Sequence, residues 1–207
     1  MQNKRCWWCG EDPLYREYHD KDWGVPVVDD QILFEMIILE GAQAGLSWLT
    51  ILRKRRNYRN AFHNFSIAKV AAMGDGDLAR CAADEGIVRN KLKIASTRKN
   101  ARAALRIIEK HGSLAQYLWR FVDFRPQQNS WRDSNEVPSV TPSARVMSKE
   151  MKRDGFAFVG PTICYAFMQS VGMVNDHLIS CFRHEEIKQD VEARKVEWLI
   201  NQSGNVS

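Results

Sequence analysis

Apolar positions along this chain recur at steps of three and four rather than two, a pattern that predicts helices. The run "ILFEMIILEGAQAG", with Asp29 or Asp30 as its cap, is apolar nearly all round and is expected to be buried on every side. After "AGLS", Ser47 is placed to cap "WLTILRKRRNYRNAF", which starts apolar and turns basic. Ser66 caps a short helix through Met73, and Asp75 or Asp77 starts another. A long helix is expected from Arg89 to Lys110. Ile94, Thr97, Ala101, Leu105 and Ile108 share one stripe of it, and Lys91, Lys99, Arg102 and Arg106 share the neighbouring face. Gly112 ends that helix and Ser113 caps "LAQYLWRFV". Ser143 opens a helix to about Arg153, Pro161 opens "TICYAFMQSVG", and a last helix spans Glu185 to Ile200.

No window alternates like a strand framed by hairpin turns, so the expected fold class is all-α. Residues 123–142 hold three prolines and many polar side chains, the composition of a surface loop between helical layers. With 207 residues, 44% hydrophobic and 27% charged, the chain is long enough for one globular domain and is not of the disordered class. One domain over residues 1–182 is expected, with 183–207 as a tail or extra helix. No apolar run reaches the roughly 18 residues of a membrane helix, and no apolar stretch follows the N-terminal charges as in a secretory signal.

Charge sharpens this picture. The formal net charge is +5, unevenly placed. From Gly41 to Gly74 there is no acid, while Arg53, Lys54, Arg55, Arg56 and Arg59 crowd together. From Gly86 to Ile108 there is again no acid, among seven bases: Arg89, Lys91, Lys93, Arg98, Lys99, Arg102 and Arg106. Each cluster alone fits a solvated helix face; two in one chain point to a polyanion, and to nucleic acid first. Residues 78–110 also lay out a helix, a turn at Gly86 and a basic helix. A helix-hairpin-helix offers phosphates such a turn, although Gly86 stands alone where two glycines are usual, and an ordinary helical hairpin fits equally.

Five cysteines at irregular spacing make a poor disulfide framework, and a reducing cytoplasm suits them better. Cys6 and Cys9 form a CxxC. His177 and Cys181, four apart on a helix, would share a face. With His19, a two-cysteine, two-histidine set of Cys6, His19, His177 and Cys181 would draw on both ends of the chain. Spacing does not choose between that set and a Cys6–Cys9 redox pair, but a thioredoxin-type motif follows a strand and none precedes this one. Glu40 ends an apolar run, and Trp48 lies eight residues on across the Gly45–Leu46 turn. An acid and an aromatic at such a break are a pocket rim or a solvated helix end. Trp8, Tyr15 and Tyr18 either line the same pocket or fill core.

The stretches "DPLYREYHDKDWGVPVVDDQILFEMIILEGAQAGLSWLTILRKRRNYRNAF", "GIVRNKLKI" and "FVGPTICYAFMQSVGMVNDH", with a cysteine four residues later, resemble the bacterial 3-methyladenine DNA glycosylase I family. The resemblance runs in order from about Arg5 to Cys181. It implies an all-helical fold of the helix-hairpin-helix superfamily. One structural zinc would be held by Cys6, His19, His177 and Cys181, and a pocket for a flipped base would be built from Trp8, Tyr15, Tyr18, Glu40 and Trp48. The resemblance makes Glu40 the functional carboxylate; like the family, "PTICYAFMQ" offers none where many superfamily glycosylases carry a catalytic aspartate. The resemblance implies that the chain removes 3-methyladenine, with 3-methylguanine as a candidate second lesion, from double-stranded DNA as a monomer. Gly45 and Leu46 would be a wedge, and Gly86, Arg89, Lys91 and Lys93 would contact DNA. The alternatives are a zinc-stabilised module that binds DNA damage without excising it, and a thiol oxidoreductase.

Overall fold

The computed structural model describes residues 4–193. Ten α-helices dominate the described residues: α1 Pro13–Lys21, α2 Asp30–Gln43, α3 Trp48–Ala61, α4 Ile67–Ala72, α5 Asp75–Ala83, α6 Lys91–His111, α7 Leu114–Trp119, α8 Pro142–Arg153, α9 Pro161–Ser170 and α10 Phe182–Ala193. Against the all-α expectation stands one small addition. Gln127–Gln128 (β1) and Val174–Asn175 (β2) pair in parallel, with Gln127 opposite Val174. Two-residue strands are too short to leave an alternating pattern in sequence.

The caps explain why the helices begin where they do. Asp29 accepts from the Ile32 N–H and starts α2, while Asp30 accepts from Leu114 and Ala115 and starts α7 with help from Ser113. The two adjacent aspartates thus have separate duties. Thr141, not Ser143, caps α8, with Pro142 at its first position. Asn90 caps α6, so Arg89 lies outside that helix. On α6 the buried row is Ile94, Thr97, Ala101 and Ala104, flanked by Ala103 and Ile107. Leu105, expected on the core stripe, is exposed.

Helix α2 is the centre, with Leu33, Phe34, Leu39 and their neighbours buried. It packs against α3, α6, α7 and α9, while α8 pairs with α9 and α4 with α6. Helix α10 starts three residues before the expected Glu185 and docks through buried Ile187; the remainder of the expected helix, to Ile200, lies outside the described residues. Residues 123–142 are more than a surface loop. Gln127 donates its N–H to Met173, Ile179 donates to the Trp131 carbonyl, and Trp131 packs on the core. No helix among the described residues is long and apolar enough to cross a membrane.

Residues 24–27 lie backbone to backbone along the end of α9: Gly24 donates to the Gln169 carbonyl at 3.1 Å and Val27 to Val171 at 3.1 Å. Gly172, at φ +70°, permits this approach, because a Cβ there would collide with the Pro26 nitrogen and the Val25 carbonyl carbon. Backbone cannot yield as a flexible side chain can. Gly172→Ala is therefore expected to cost at least about 3 kcal/mol. Thermal unfolding should show a midpoint lowered by about 6–12 °C; an unchanged midpoint would contradict the contact.

Candidate active site and metal centre

Helix α1 is fixed by Asp12, which accepts from the Leu14 and Tyr15 N–H groups and pairs with Arg53 of α3. Its last turn delivers His19 inward, fully buried. Cys6, His19, His177 and Cys181 converge there, their ligand atoms all within 4.8 Å of one another. His177 Nδ1 lies 3.5 Å from both Cys6 Sγ and Cys181 Sγ, and His19 Nε2 lies 3.5 Å from Cys181 Sγ. In a tetrahedron with bonds of about 2.3 Å to sulfur and about 2.05 Å to nitrogen, the two atom types stand about 3.6 Å apart.

The surroundings also fix the tautomers. His19 Nδ1 faces Asp20 Oδ1 at 2.8 Å, and His177 Nε2 faces the Trp23 carbonyl at 3.1 Å, so each outer nitrogen carries the proton and each inner one turns its lone pair to the cluster, that of His19 also accepting from the Cys6 N–H at 3.3 Å. Asp20 is itself held by Arg5. Burial pushes the His177 imidazole down, towards the neutral ligating form. The Cys181 thiol is pushed down, first by its hydrogen bond with Cys6 and then by His177 and His19, while Cys6 is pushed up by the same hydrogen bond and by burial. Donor types, spacing and the partners of both outer nitrogens all fit one tetrahedral metal ion. Cys9 stands apart: its thiol donates to the Cys6 carbonyl, whereas Cys6 Sγ turns to the histidine cluster. The CxxC is not a facing pair of sulfurs.

An aromatic chain runs from this cluster to a cavity. Trp23 meets His177 at 4.6 Å between ring centres, Trp8 meets Trp23 at 4.9 Å and Tyr18 at 6.2 Å, and Tyr18 meets Trp48 at 5.4 Å. The cavity, about 290 Å³, brings together all five expected pocket residues: Trp8, Tyr15, Tyr18, Glu40 and Trp48. Glu40 is buried rather than solvated, and burial pushes its carboxyl up to about 8, opposed by a hydrogen bond with Ser170. Tyr18 Oη and Trp48 Nε1 are buried without a hydrogen-bond partner, so both offer donors to an occupant.

Sequence reasoning missed several wall residues: Trp7, Trp23, Gln43, Val137, Pro138, Gln169 and Asp176. Trp7 is half-exposed at this wall. Asp176 is the second pocket carboxylate, but its oxygens are spoken for. Asn129 and Trp131 donate to Oδ1, and Tyr165 and Gln169 donate to Oδ2. Its adjacency to His177 was the available signal; its partners, 45–47 residues upstream on the 123–142 segment, were not.

The basic clusters read differently in three dimensions. Arg53 pairs with Asp12, Arg55 with Asp22 and Glu35, Arg59 with Glu35, and Lys54 donates to the Glu85 carbonyl. On α6, Arg98 donates to Met73, Arg102 to Ala71 and Arg106 to Asp154, all backbone carbonyls. Lys93 donates to the carbonyls of Ala42 and Ala44 instead of reaching into solvent. Lys91 is exposed, and Arg89 is exposed beside Glu85. The Gly86 N–H is taken by Asp84 Oδ1, which removes the turn donor expected for a phosphate. Gly45 turns at φ +82° with nothing around a Cβ position, and Leu46 beside it is exposed.

A second helical hairpin, which the sequence pattern does not announce, joins α8 to α9 through "DGFAFVG". Asn100 of α6 grips its turn in both directions, through the Ala157 carbonyl and the Ala157 N–H, and Ser148 donates to Val159. This turn carries two glycines. Gly155 takes φ +101°, and Gly160 precedes α9 with open space where a Cβ would stand.

Among known proteins, the family model for Methyladenine glycosylase matches residues 8–184. DNA-3-methyladenine glycosylase 1 of Escherichia coli (strain K12) is 48% identical over 178 residues, covering 86% of this chain and 95% of that protein. A crystal structure of 3-methyladenine DNA glycosylase I superposes with a TM-score of 0.84 at 48% identity, covering 86% of this chain and 98% of that one. A second solved structure, a variant in complex with 3-methyladenine, gives a TM-score of 0.84 at 34% identity over 86% and 96% of the two chains.

The buried Glu40 carboxyl makes a prediction that needs no substrate. With its folded value near 8 and its unfolded value near 4.5, the folded chain keeps a proton that the unfolded chain loses between those limits. Stability therefore falls as pH rises through that window. Glu40→Gln removes the effect. The variant should melt higher than wild type at about pH 8 and close to it at about pH 4.5. Equal midpoints at the higher pH would show that Glu40 is not held neutral.

Proposed function

The chain belongs to the methyladenine glycosylase family, and from that membership we propose that it excises 3-methyladenine from alkylated DNA in the cavity around Glu40. The observation that carries this is a buried carboxyl sharing one aromatic cavity with two unpartnered donors. A base methylated at adenine N3 is a cation with a weakened glycosidic bond, so the protein's tasks are extraction and discrimination. Flipping costs a few kcal/mol, least for a damaged base. A cation over Trp48 gains roughly 0.5–2 kcal/mol that neutral adenine does not.

Glu40 adds the larger share. Ionising it at pH 7 costs on the order of 1 kcal/mol, while a cation about 4 Å away returns about 4 kcal/mol at an effective dielectric near 20. The lesion thus draws the proton off Glu40, and neutral adenine leaves the carboxyl neutral. Tyr18 Oη supplies a hydrogen bond to the base over the Trp48 face, with Tyr15 and Trp8 closing the walls. The bond from the sugar C1′ to the base then breaks with its electron pair going to the base, which leaves neutral. Water adds to C1′ and gives its proton to solvent, leaving an abasic site. The substrate is read as duplex DNA, with Leu46 beyond the Gly45 turn as the wedge filling the vacated stack, and the working unit as a monomer, since one chain supplies the whole pocket. The α8–α9 turn, with Gly160 and the start of α9, suits a backbone phosphate better than the Gly86 turn does; Lys91 stands free to add charge, and Arg89 adds its own by leaving Glu85.

The ion of the four-donor cluster is read as zinc, with Cys6, His19, His177 and Cys181 as its ligands. Four protein donors leave no position for water, so it is structural and supplies no chemistry to the reaction.

Methylated duplex DNA should release free 3-methyladenine with wild type and far less with Glu40→Gln. Below about pH 8 the wild-type kcat/KM should rise with pH, by about tenfold per unit, then level off. A flat profile below that pH would remove Glu40 from this role. Elemental analysis should find one zinc per chain, lost in Cys6→Ser and kept in Cys9→Ser. Loss in both variants would reassign the ligands.

A further inference from the structure

The first turn of α6 is an unfavourable place for a lysine, because the positive end of the helix dipole meets a positive charge. Lys93 stands there, and α6 gains nothing from it. Its ammonium instead crosses to the end of α2, donating to the Ala42 carbonyl at 2.8 Å and to the Ala44 carbonyl at 2.7 Å. These carbonyls belong to the unsatisfied end of α2, where a cation is favoured. Ala44 is the last residue before the turn, Gly45 takes φ +82°, and the Leu46 N–H closes on the Gln43 carbonyl at 2.6 Å. Leu46 is left exposed at the tip. Apart from that closing bond, the Lys93 pair of hydrogen bonds is what ties the turn to the body of the protein. Burial pushes the ammonium down, in keeping with its withdrawal from water.

We infer that Lys93 is a positioning residue rather than a phosphate contact: it clamps the Ala44–Gly45–Leu46 turn, so that the wedge is rigid before DNA arrives and stays in register with Glu40 one turn upstream. The inference rests on the wedge reading of Leu46. A preset wedge lowers the entropy lost on inserting it, and a misplacement of about 1 Å can cost a hundredfold in rate.

Lys93→Met keeps the length of the side chain and removes the donors. Single-turnover release of 3-methyladenine from methylated duplex, at saturating protein, should fall by roughly ten- to a hundredfold. Affinity for free 3-methyladenine should be unchanged, because the pocket is untouched. The salt dependence of binding to undamaged duplex should keep its slope, whereas a lost phosphate contact would reduce the slope by about 0.9. Combined with Leu46→Ala, the lysine substitution should add little to the loss that Leu46→Ala causes alone, since both act through one turn. A reduced slope, an unchanged rate, loss of free-base affinity or additive effects would each overturn the inference. If Leu46→Ala alone leaves duplex release intact, the wedge reading fails, and that failure is visible separately.

Discussion

Two sulfurs and two imidazoles, buried together from opposite ends of the chain, are the constraint on which the pocket depends. Cys6 and His177 are 171 residues apart, and closing a loop of that length costs about 5 kcal/mol of chain entropy. Hydrogen bonds at the seam, such as Phe182 N–H to the Lys4 carbonyl and Gly24 N–H to the Gln169 carbonyl, offset part of that cost. A metal ion held by all four donors meets it readily. What the closure secures is the placement of Trp8, Tyr15 and Tyr18, which α2 and α3 do not themselves carry. Through the Trp23–His177 and Trp8–Trp23 contacts, the donor cluster and the pocket form one packed unit.

Within that unit the pocket is costly in stability and useful for the same reason. Glu40 is buried near the end of an apolar helix, with no cation among the causes acting on its carboxyl. Elsewhere the fold shows how a buried glutamate is ordinarily satisfied: Glu35, five residues earlier on α2, is gripped by Arg55 and Arg59. The contrast between the two glutamates is the chemistry of the site. One has its counter-charge built in; the other has none. Tyr18 and Trp48, with their unpartnered donors, share that condition.

How much of this was legible in sequence depended on how local each cause was. Helix starts at Asp29, Ser47 and Ser113, and the stop at Gly112, were readable because a cap acts within three or four residues. The four clustered cysteines and histidines were readable as a set of residue types, though their convergence needed the resemblance or the fold. The wall at Val137–Pro138 and the network around Asp176 were hidden, since both depend on residues 127–138 lying beside β2, a pairing two residues long. Basic residues following a glycine point to a hairpin at Gly86. The two-glycine turn lies instead in "DGFAFVG", where buried Phe156 and Val159 disguise the turn as core.

Charge was the least legible feature, because a count of bases does not say what they face. By composition the long α6 helix shows a basic face to a polyanion. In the fold, Lys93 reaches the end of α2, Arg98 and Arg102 the end of α4, and Arg106 the end of α8. Each such end carries carbonyls without helical partners and a partial negative charge, so the same side chains serve as caps for three neighbouring helices. An acid at any of these four positions would face carbonyl oxygens, in keeping with the lack of acids from Gly86 to Ile108. Of the twelve bases in the two clusters, Arg56, Lys91 and Lys99 have side chains with no ion pair or hydrogen bond. A tally of charge therefore overstates how much of the two clusters is free to face a phosphate backbone.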